Sequence, residues 1–179
     1  MRGSLKRIIF LLSIISLFGC STYDLEYFRH YETHHVLIRK AKEKDFNELS
    51  KFSFQGILVA PGFKSFRESH PGPYAQLTFL SEAERELILK KIEIFSDTNA
   101  IVFSKVLNQL IQVNRELDPN QFRSLSITVF NGADLKPSEL LSSQMVTLIV
   151  TLSDTDGSES KEISLKLKKR AVTEISWPT

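Results

Sequence analysis

Three of the four histidines lie close together, and imidazoles at this spacing are the main metal-binding signal of the sequence. They are His30, His34 and His35, and the fourth is His70. In a helix, His30 and His34 would share one face, as two ligands of many zinc sites do. The HExxH pattern is missing, however, and residues 36–38 favour a strand. We therefore expect surface or half-buried histidines, with a metal site at His30 and His34 as the weaker alternative.

No motif for catalysis or cofactor binding is visible in the sequence. It contains no GxSxG elbow, no Gly-rich phosphate loop, no dinucleotide fingerprint and no CxxC pair. Residues 154–159 (DTDGSE) resemble the start of a calcium loop but lack the later ligands and the closing Glu. These patterns predict a protein that is not an enzyme and holds no cofactor.

The first residues of the chain have the pattern of an export signal. Arg2, Lys6 and Arg7 form a cationic start without acidic residues, and an apolar run follows at residues 8–17. This run is shorter than the roughly 20 residues that a transmembrane helix needs. A secretory signal peptide is therefore the better interpretation.

The signal ends at Leu17-Phe18-Gly19-Cys20, which holds the only cysteine of the chain. This segment resembles the lipobox of bacterial lipoproteins, and the bulky Phe18 resembles the relaxed lipoboxes of some spirochaetal lipoproteins. The resemblance covers the leader and not the folded domain. It implies that residues 1–19 are removed and that Cys20 is acylated on its sulfur and its new amino group. Ser21, where enteric retention signals have Asp, favours the outer membrane over the inner one.

The mature chain, Cys20 to Thr179, has the length and charge of one ordinary domain. Removal of the leader leaves 20 Lys+Arg (23 − 3) against 21 Asp+Glu. A nearly neutral chain with interspersed charges lacks the concentrated basic face that nucleic-acid binding needs. No second cysteine exists for a disulfide, so the core alone must hold the fold. We expect membrane attachment through acyl chains on Cys20 and no nucleic-acid partner.

Two segments precede or interrupt the regular part of the domain. Residues 20–33 contain Tyr23, Tyr27 and Tyr31 at a spacing that a short helix would gather on one side, and residues 34–179 form a single globular domain. Within the domain, the two prolines of His70-Pro71-Gly72-Pro73 require a loop. We take this loop as a candidate recognition surface, with a plain connector as the alternative. Its candidate residues are Phe66, Arg67, His70, Pro71, Pro73 and Tyr74.

Hydrophobic periodicity predicts two helices followed by strands. Apolar residues recur at helical spacing over residues 82–95 and 99–117, and Ser81 with Glu84 has the pattern of a capping box. Residues 124–130, 146–152 and 163–168 alternate as strands do, and the last two predict a hairpin. We therefore predict an α+β domain in which two central helices cover one face of a mainly antiparallel sheet. The alternative is a β-sandwich with peripheral helices.

These patterns support two functional hypotheses. The first is a lipid-anchored envelope protein with a non-catalytic protein-binding or scaffolding role and an envelope protein as partner. The second is a lipoprotein that binds a small ligand or metal, or acts as an enzyme, through the region of His30, His34, His35 and His70. Both place the domain outside the cytoplasmic membrane.

Overall fold

The computed structural model describes residues 21–33, 47–64, 74–118, 122–130, 140 and 142–176. The strands of this part of the chain join one ten-stranded sheet. In chain order they are β1 (Ser21–His30), β2 (Ser53–Phe54), β3 (Ile57–Lys64), β4 (Tyr74–Ser81), β5 (Arg85–Phe95), β6 (Ile101–Val113), β7 (Arg115–Asp118), β8 (Phe122–Phe130), β9 (Met145–Ser153) and β10 (Ser160–Ser176). Helical structure within the same ranges is limited to short segments, including the 3-10 turn Ser50–Phe52.

The two predicted helices are wrong. The segments read as helices 82–95 and 99–117 are the paired antiparallel strands β5 and β6, so the α+β architecture with two central helices does not hold. The alternative β-sandwich fails as well, because the strands belong to a single sheet. The part of the chain that the structure describes is instead built mostly from antiparallel strands.

The strands at the two ends of the sheet order are joined directly by the chain. Across the sheet the order is β6-β5-β9-β10-β1-β3-β4-β8-β7, and β2 pairs with β3. β6 and β7 stand at opposite ends of this order but are consecutive in the chain, with only Asn114 between them. β7 pairs with β8 through Arg115 and Ser124, so the chain itself brings the two ends of the sheet together. The closure is local, because β8 beyond Ser124 pairs with β4 alone among the described strands.

The inward faces of these strands form one apolar core. On β9, Val146, Leu148, Val150 and Leu152 are fully buried while the intervening residues are half-exposed. Such alternation is what a sheet with one buried face requires. The predicted C-terminal hairpin is confirmed: β9 and β10 pair antiparallel from Ser160↔Ser153 to Lys168↔Met145. Lys166 and Lys168 lie on its solvent face, and β10 itself lies between β9 and β1 in the sheet order.

A tight turn fixes the start of β3. β2 and β3 are joined by Gln55 and Gly56, and Phe54 pairs with Ile57. Both turn residues have positive φ, 47° and 76°, which is the pattern of a type I′ hairpin turn. β3 then continues through Pro61 and Gly62, although a Pro-Gly pair more often marks a turn.

The chain divides into two compact units. Glu26–Arg170 is the larger and contains all of β2 to β9. The smaller consists of Met1–Leu25 and Ala171–Thr179, whose described residues 21–25 and 171–176 are extended. The expected helix at Tyr23 and Tyr27 is therefore wrong, since both residues lie in strand β1.

Candidate protein-binding surface

Three of the five exposed large hydrophobic side chains among the described residues lie on β6, and the other two are Tyr31 and Met145. Ile101, Val106 and Leu110 are 54%, 66% and 45% exposed, and we call these three residues the β6 stripe. Their cross-strand partners on β5 are Phe95, Lys91 and Ile88, all half-buried. The buried residues of β5 alternate with these partners, so the β6 stripe lies on the outer face of the sheet.

Hydrogen bonds and an ion pair surround the β6 stripe. The amide of Gln112 donates to Glu86 at 2.7 Å, at the end next to Leu110. Lys91, opposite Val106, forms an ion pair with Glu93 at 2.8 Å, and the hydroxyl of Ser104 donates to Glu93 at 3.5 Å. Apolar side chains within a polar rim are the usual composition of a protein–protein contact surface. The β6 stripe can therefore bury apolar area against a partner while its rim stays hydrated.

Sequence reasoning missed this surface because it assigned β6 to a helix. In a helix, Val106 and Leu110 would share the apolar stripe with Ile111 and become core residues. In the strand, Leu110 and Ile111 point to opposite faces, and only Ile111 is buried. The signal in the sequence was that adjacent residues such as Leu110 and Ile111 are both apolar. In a strand, adjacent side chains point to opposite faces, so such a pair makes both faces apolar.

His30 is the one histidine of the cluster that the structure describes, and it is a buried residue with a structural role. His30 is 4% exposed and stacks edge-on against Phe52, with ring centroids 4.6 Å apart. The backbone N–H of Thr33 donates to His30 Nδ1 at 3.3 Å, so Nδ1 is the acceptor and the hydroxyl of Thr33, at 2.9 Å, can donate to it as well. His34, His35 and His70 lie outside the described residues. Within the described ranges, no group of three or more potential ligands is arranged to hold a metal ion.

Burial sets the charge state of His30. Desolvation lowers its pKa from 6.5 to about 4; the carboxylate of Glu32 opposes this shift and the ammonium group of Lys51 adds to it. The hydrogen bonds to Nδ1 also require a neutral ring. His30 therefore serves the packing of β1 against Phe52 as an uncharged residue.

We expect the stability of the protein to fall as the pH drops from 6.5 toward 4. In that window the unfolded chain protonates His30 and the folded chain does not, so acid favours unfolding. The largest slope expected from one such group is about 1.4 kcal/mol in the free energy of unfolding per pH unit. His30→Asn keeps an acceptor for Thr33 but cannot titrate, so it should lose this contribution to the slope. Urea unfolding of both proteins at several pH values measures it.

The test compares how the free energy of unfolding of each protein changes with pH, and not its absolute value. His30→Asn also loses ring packing on Phe52 and should be less stable at every pH. Equal slopes for the two proteins between pH 6.5 and 4 would contradict a neutral, buried His30.

The loop predicted as a recognition surface follows β3 and precedes β4, and both of these strands are described. Lys64 pairs with Tyr74 where β3 and β4 meet the loop, so residues 65–73 connect two neighbouring antiparallel strands. Tyr74 itself is the first residue of β4. Phe66, Arg67, His70, Pro71 and Pro73 lie outside the described residues.

The acidic turn between β9 and β10 uses its carboxylates for hydrogen bonds within the turn. Asp154 Oδ2 accepts from the hydroxyl of Ser158 at 2.6 Å and from the N–H of Glu159 at 3.0 Å. The N–H of Ser158 donates to Asp156 Oδ1 at 2.8 Å, and this bond is the main reason why the pKa of Asp156 lies below its usual value. Gly157 has a φ of 79°, which fits a turn. These residues shape the hairpin.

Comparison of the chain with protein-family models, curated proteins and solved structures finds no match. Among the described residues, no helix has both the length and the apolar character needed to cross a bilayer.

Proposed function

We propose that this chain is a lipid-anchored protein of the bacterial envelope with a non-catalytic protein-binding or scaffolding role. The observation that supports it best is the β6 stripe, where Ile101, Val106 and Leu110 expose apolar side chains on the outer face of the sheet. Burial of apolar surface away from water stabilises a protein by roughly 25 cal/mol for each Å². A partner that covered these side chains would gain this free energy on binding. The lipobox-like segment ending at Cys20 supports the location, with the outer membrane favoured over the inner.

The competing hypothesis, a metal-binding or catalytic site around the histidines, has less support. Nδ1 of His30 is engaged by Thr33, and the ring is packed on Phe52. A metal at Nδ1 would displace both hydrogen bonds from Thr33 and bring charge into an apolar environment. The apolar surface of β6 is the better basis for a function.

Photo-crosslinking in intact envelopes of the source bacterium tests this proposal. A benzophenone amino acid at Val106 of the full chain should form a covalent adduct with another protein. The matched control is Glu162, which is also exposed. It lies on the same face of the sheet as Val106, because Val106 pairs with Lys91, Lys91 with Thr151, and Thr151 with Glu162. Leu110→Lys should abolish the adduct at position 106 because it places a charge within the contact.

The proposal predicts an adduct that is specific to the β6 stripe. Equal protein adducts at positions 106 and 162 would indicate random collision, and adducts with phospholipid alone would indicate membrane contact. Either result would refute protein binding through this surface.

A further inference from the structure

Basic residues are concentrated near one end of β10. Four of the five residues 166–170 are Lys or Arg. Lys166, Lys168 and Arg170 are exposed and Leu167 between them is buried, so the three cations point to the outer face of the sheet. None of the ion pairs among the described side chains involves them. Three cations therefore follow one another along a single strand face.

An exposed apolar side chain lies beside these cations on the same face. Met145 of β9 pairs with Lys168 and is 37% exposed. We call Met145, Lys166, Lys168 and Arg170 together the basic patch. Binding to a membrane surface combines the burial of apolar area with electrostatic attraction to anionic lipids. The basic patch has the side chains for both.

Two acids near the basic patch already have partners. Glu93 of β5 forms an ion pair with Lys91 at 2.8 Å. Asp97 accepts the backbone N–H of Gln144, the residue before Met145, at 2.9 Å. The three cations outnumber the single carboxylate of Asp97, so the patch keeps a net positive charge.

The chain connects the basic patch to the segment that follows the proposed anchor. Arg170 is followed directly by Ala171, and the described residues 171–176 belong to the same compact unit as residues 21–25. β1 begins immediately after Cys20 and is next to β10 in the sheet order. From Cys20 to Glu26, where the larger unit begins, the chain can span at most about 20 Å. An acylated Cys20 therefore keeps the larger unit within reach of the bilayer surface.

We propose that the basic patch is a second membrane contact, which docks the domain on anionic phospholipid headgroups of the bilayer that holds Cys20. The cations pair with lipid phosphates, and Met145 enters the headgroup region between them. The inference rests on the proposed lipid anchor and names the surface that faces the bilayer.

Protein binding at the β6 stripe is compatible with this contact. Val106 lies in register with Glu162 across β5 and β9. Glu162 comes six residues before Lys168, which is roughly 20 Å along β10. Val106 and the basic patch therefore lie toward opposite ends of the outer face.

Charge and tethering favour a bilayer over other occupants. Polybasic segments that bind anionic lipid contain roughly four to eight Lys or Arg, and residues 166–170 contain four. An acyl anchor raises the effective concentration of headgroups at the domain, so a weak attraction is enough. A second copy using the same face would bring like charges together and be repelled. An acidic protein would satisfy the same cations, and the test separates it from lipid.

Fluorescence quenching on the acylated full mature chain in vesicles tests the proposal. Cys20 is the only cysteine and its sulfur is blocked by acylation, so Met145→Cys offers a single thiol for a fluorophore. Quenchers carried on lipid headgroups should quench this label in vesicles that contain phosphatidylglycerol but not in phosphatidylcholine alone. The matched label at Glu162→Cys, on the same face of the same strand, should stay unquenched in both.

Neutralising one cation tests the patch itself. Lys168→Gln should lower the ratio of docked to undocked domain about fivefold in vesicles with phosphatidylglycerol, the effect of one basic residue near an anionic surface. Lys105→Gln removes a charge from an exposed position on β6 and should leave the ratio unchanged. Raised salt should release the label at position 145 while the protein stays on the vesicles, because salt screens the cations and not the acyl chains.

Three results would overturn docking through the basic patch. The first is equal quenching at positions 145 and 162, and the second is an equal effect of Lys168→Gln and Lys105→Gln. The third is a label at position 145 that does not respond to phosphatidylglycerol. In that case, a protein adduct from a benzophenone amino acid at position 145 would assign the patch to an acidic protein.

Mass spectrometry of the N-terminal peptide separates this inference from the proposed anchor. Acylated protein that floats with the vesicles while the label at position 145 stays unquenched would leave the anchor standing and refute the second contact. Protein without acyl chains whose label is still quenched with phosphatidylglycerol would refute the anchor and support the basic patch.

Discussion

Replacing Cys20 with Ser should abolish acylation and release the protein from the membrane fraction. In the lipoproteins that the leader resembles, this cysteine provides the sulfur and the amino group that carry the acyl chains, and the sequence offers no second cysteine. One acyl chain binds a bilayer only marginally and two bind it stably, so loss of the attachment residue removes the anchor entirely. Cys20 lies outside the described residues, and the test is chemical: labelling with radioactive palmitate, followed by fractionation of the envelope.

The matched control for the anchor is Ser21→Ala. It changes the neighbouring side chain and leaves the cysteine, so labelling and fractionation should match those of the parent. A Cys20→Ser protein that still took up palmitate and sedimented with membranes would show that the lipobox interpretation is wrong. The aromatic residues Tyr23, Tyr27 and Tyr31 would then be the next candidates for attachment.

The C-terminal strands could be predicted because each has one dry face and one wet face. On β10, Ile163, Leu165 and Leu167 are buried and alternate with exposed Ser164 and Lys166. That period of two has no helical interpretation, and the polar segment 154–159 has turn chemistry. Local pattern and tertiary environment agree there.

The helix prediction for β5 is wrong because a bulge changes the spacing of its apolar residues. Its fully buried residues are Leu87, Leu89, Ile92 and Ile94, and Lys90 is the extra residue in its pairing with β9. The bulge stretches one interval from two to three residues, which brings the apolar spacing close to that of a helix. No local signal in the sequence separates a bulged strand from a helix of the same length, and cross-strand pairing decides the outcome.

The apparent capping box was also ambiguous. Ser81 ends β4, and its hydroxyl accepts the backbone N–H of Ala83 at 3.4 Å in the connection to β5. A serine hydroxyl satisfies nearby backbone donors in turns as it does at helix starts. Glu84 makes a different contact, accepting from Arg123 at 3.3 Å on the neighbouring part of the sheet. The motif identified the end of an element but not the type of the next one.

The candidate surface could not be predicted because it depends on the partners of β6. The sequence shows that Val106 and Leu110 are apolar, and apolar residues are usually buried. Their exposure follows from the position of β6 at the end of the strand order and from the outward direction of these side chains. This exposure belongs to the topology of the sheet.

Phe79→Ala should lower the free energy of unfolding by about 4 kcal/mol, the usual cost of removing a large buried aromatic side chain. Phe79 is fully buried and pairs with Val59 on β3 and with Leu125 on β8, so its ring lies where three strands meet the core. The adjacent residue Thr78 points outward and shares a 2.9 Å hydrogen bond with Ser126 at the surface.

Thr78→Ala is the matched control for Phe79→Ala and should cost less than about 1 kcal/mol, because an exposed hydrogen bond is replaced by water. Urea unfolding followed by circular dichroism measures both variants. Domain stabilities of about 5–15 kcal/mol leave room for Phe79→Ala to fold, and Phe79→Leu should fall between the two because it retains part of the apolar volume. Similar losses for Thr78→Ala and Phe79→Ala would mean that the two faces of β4 are not divided into core and solvent.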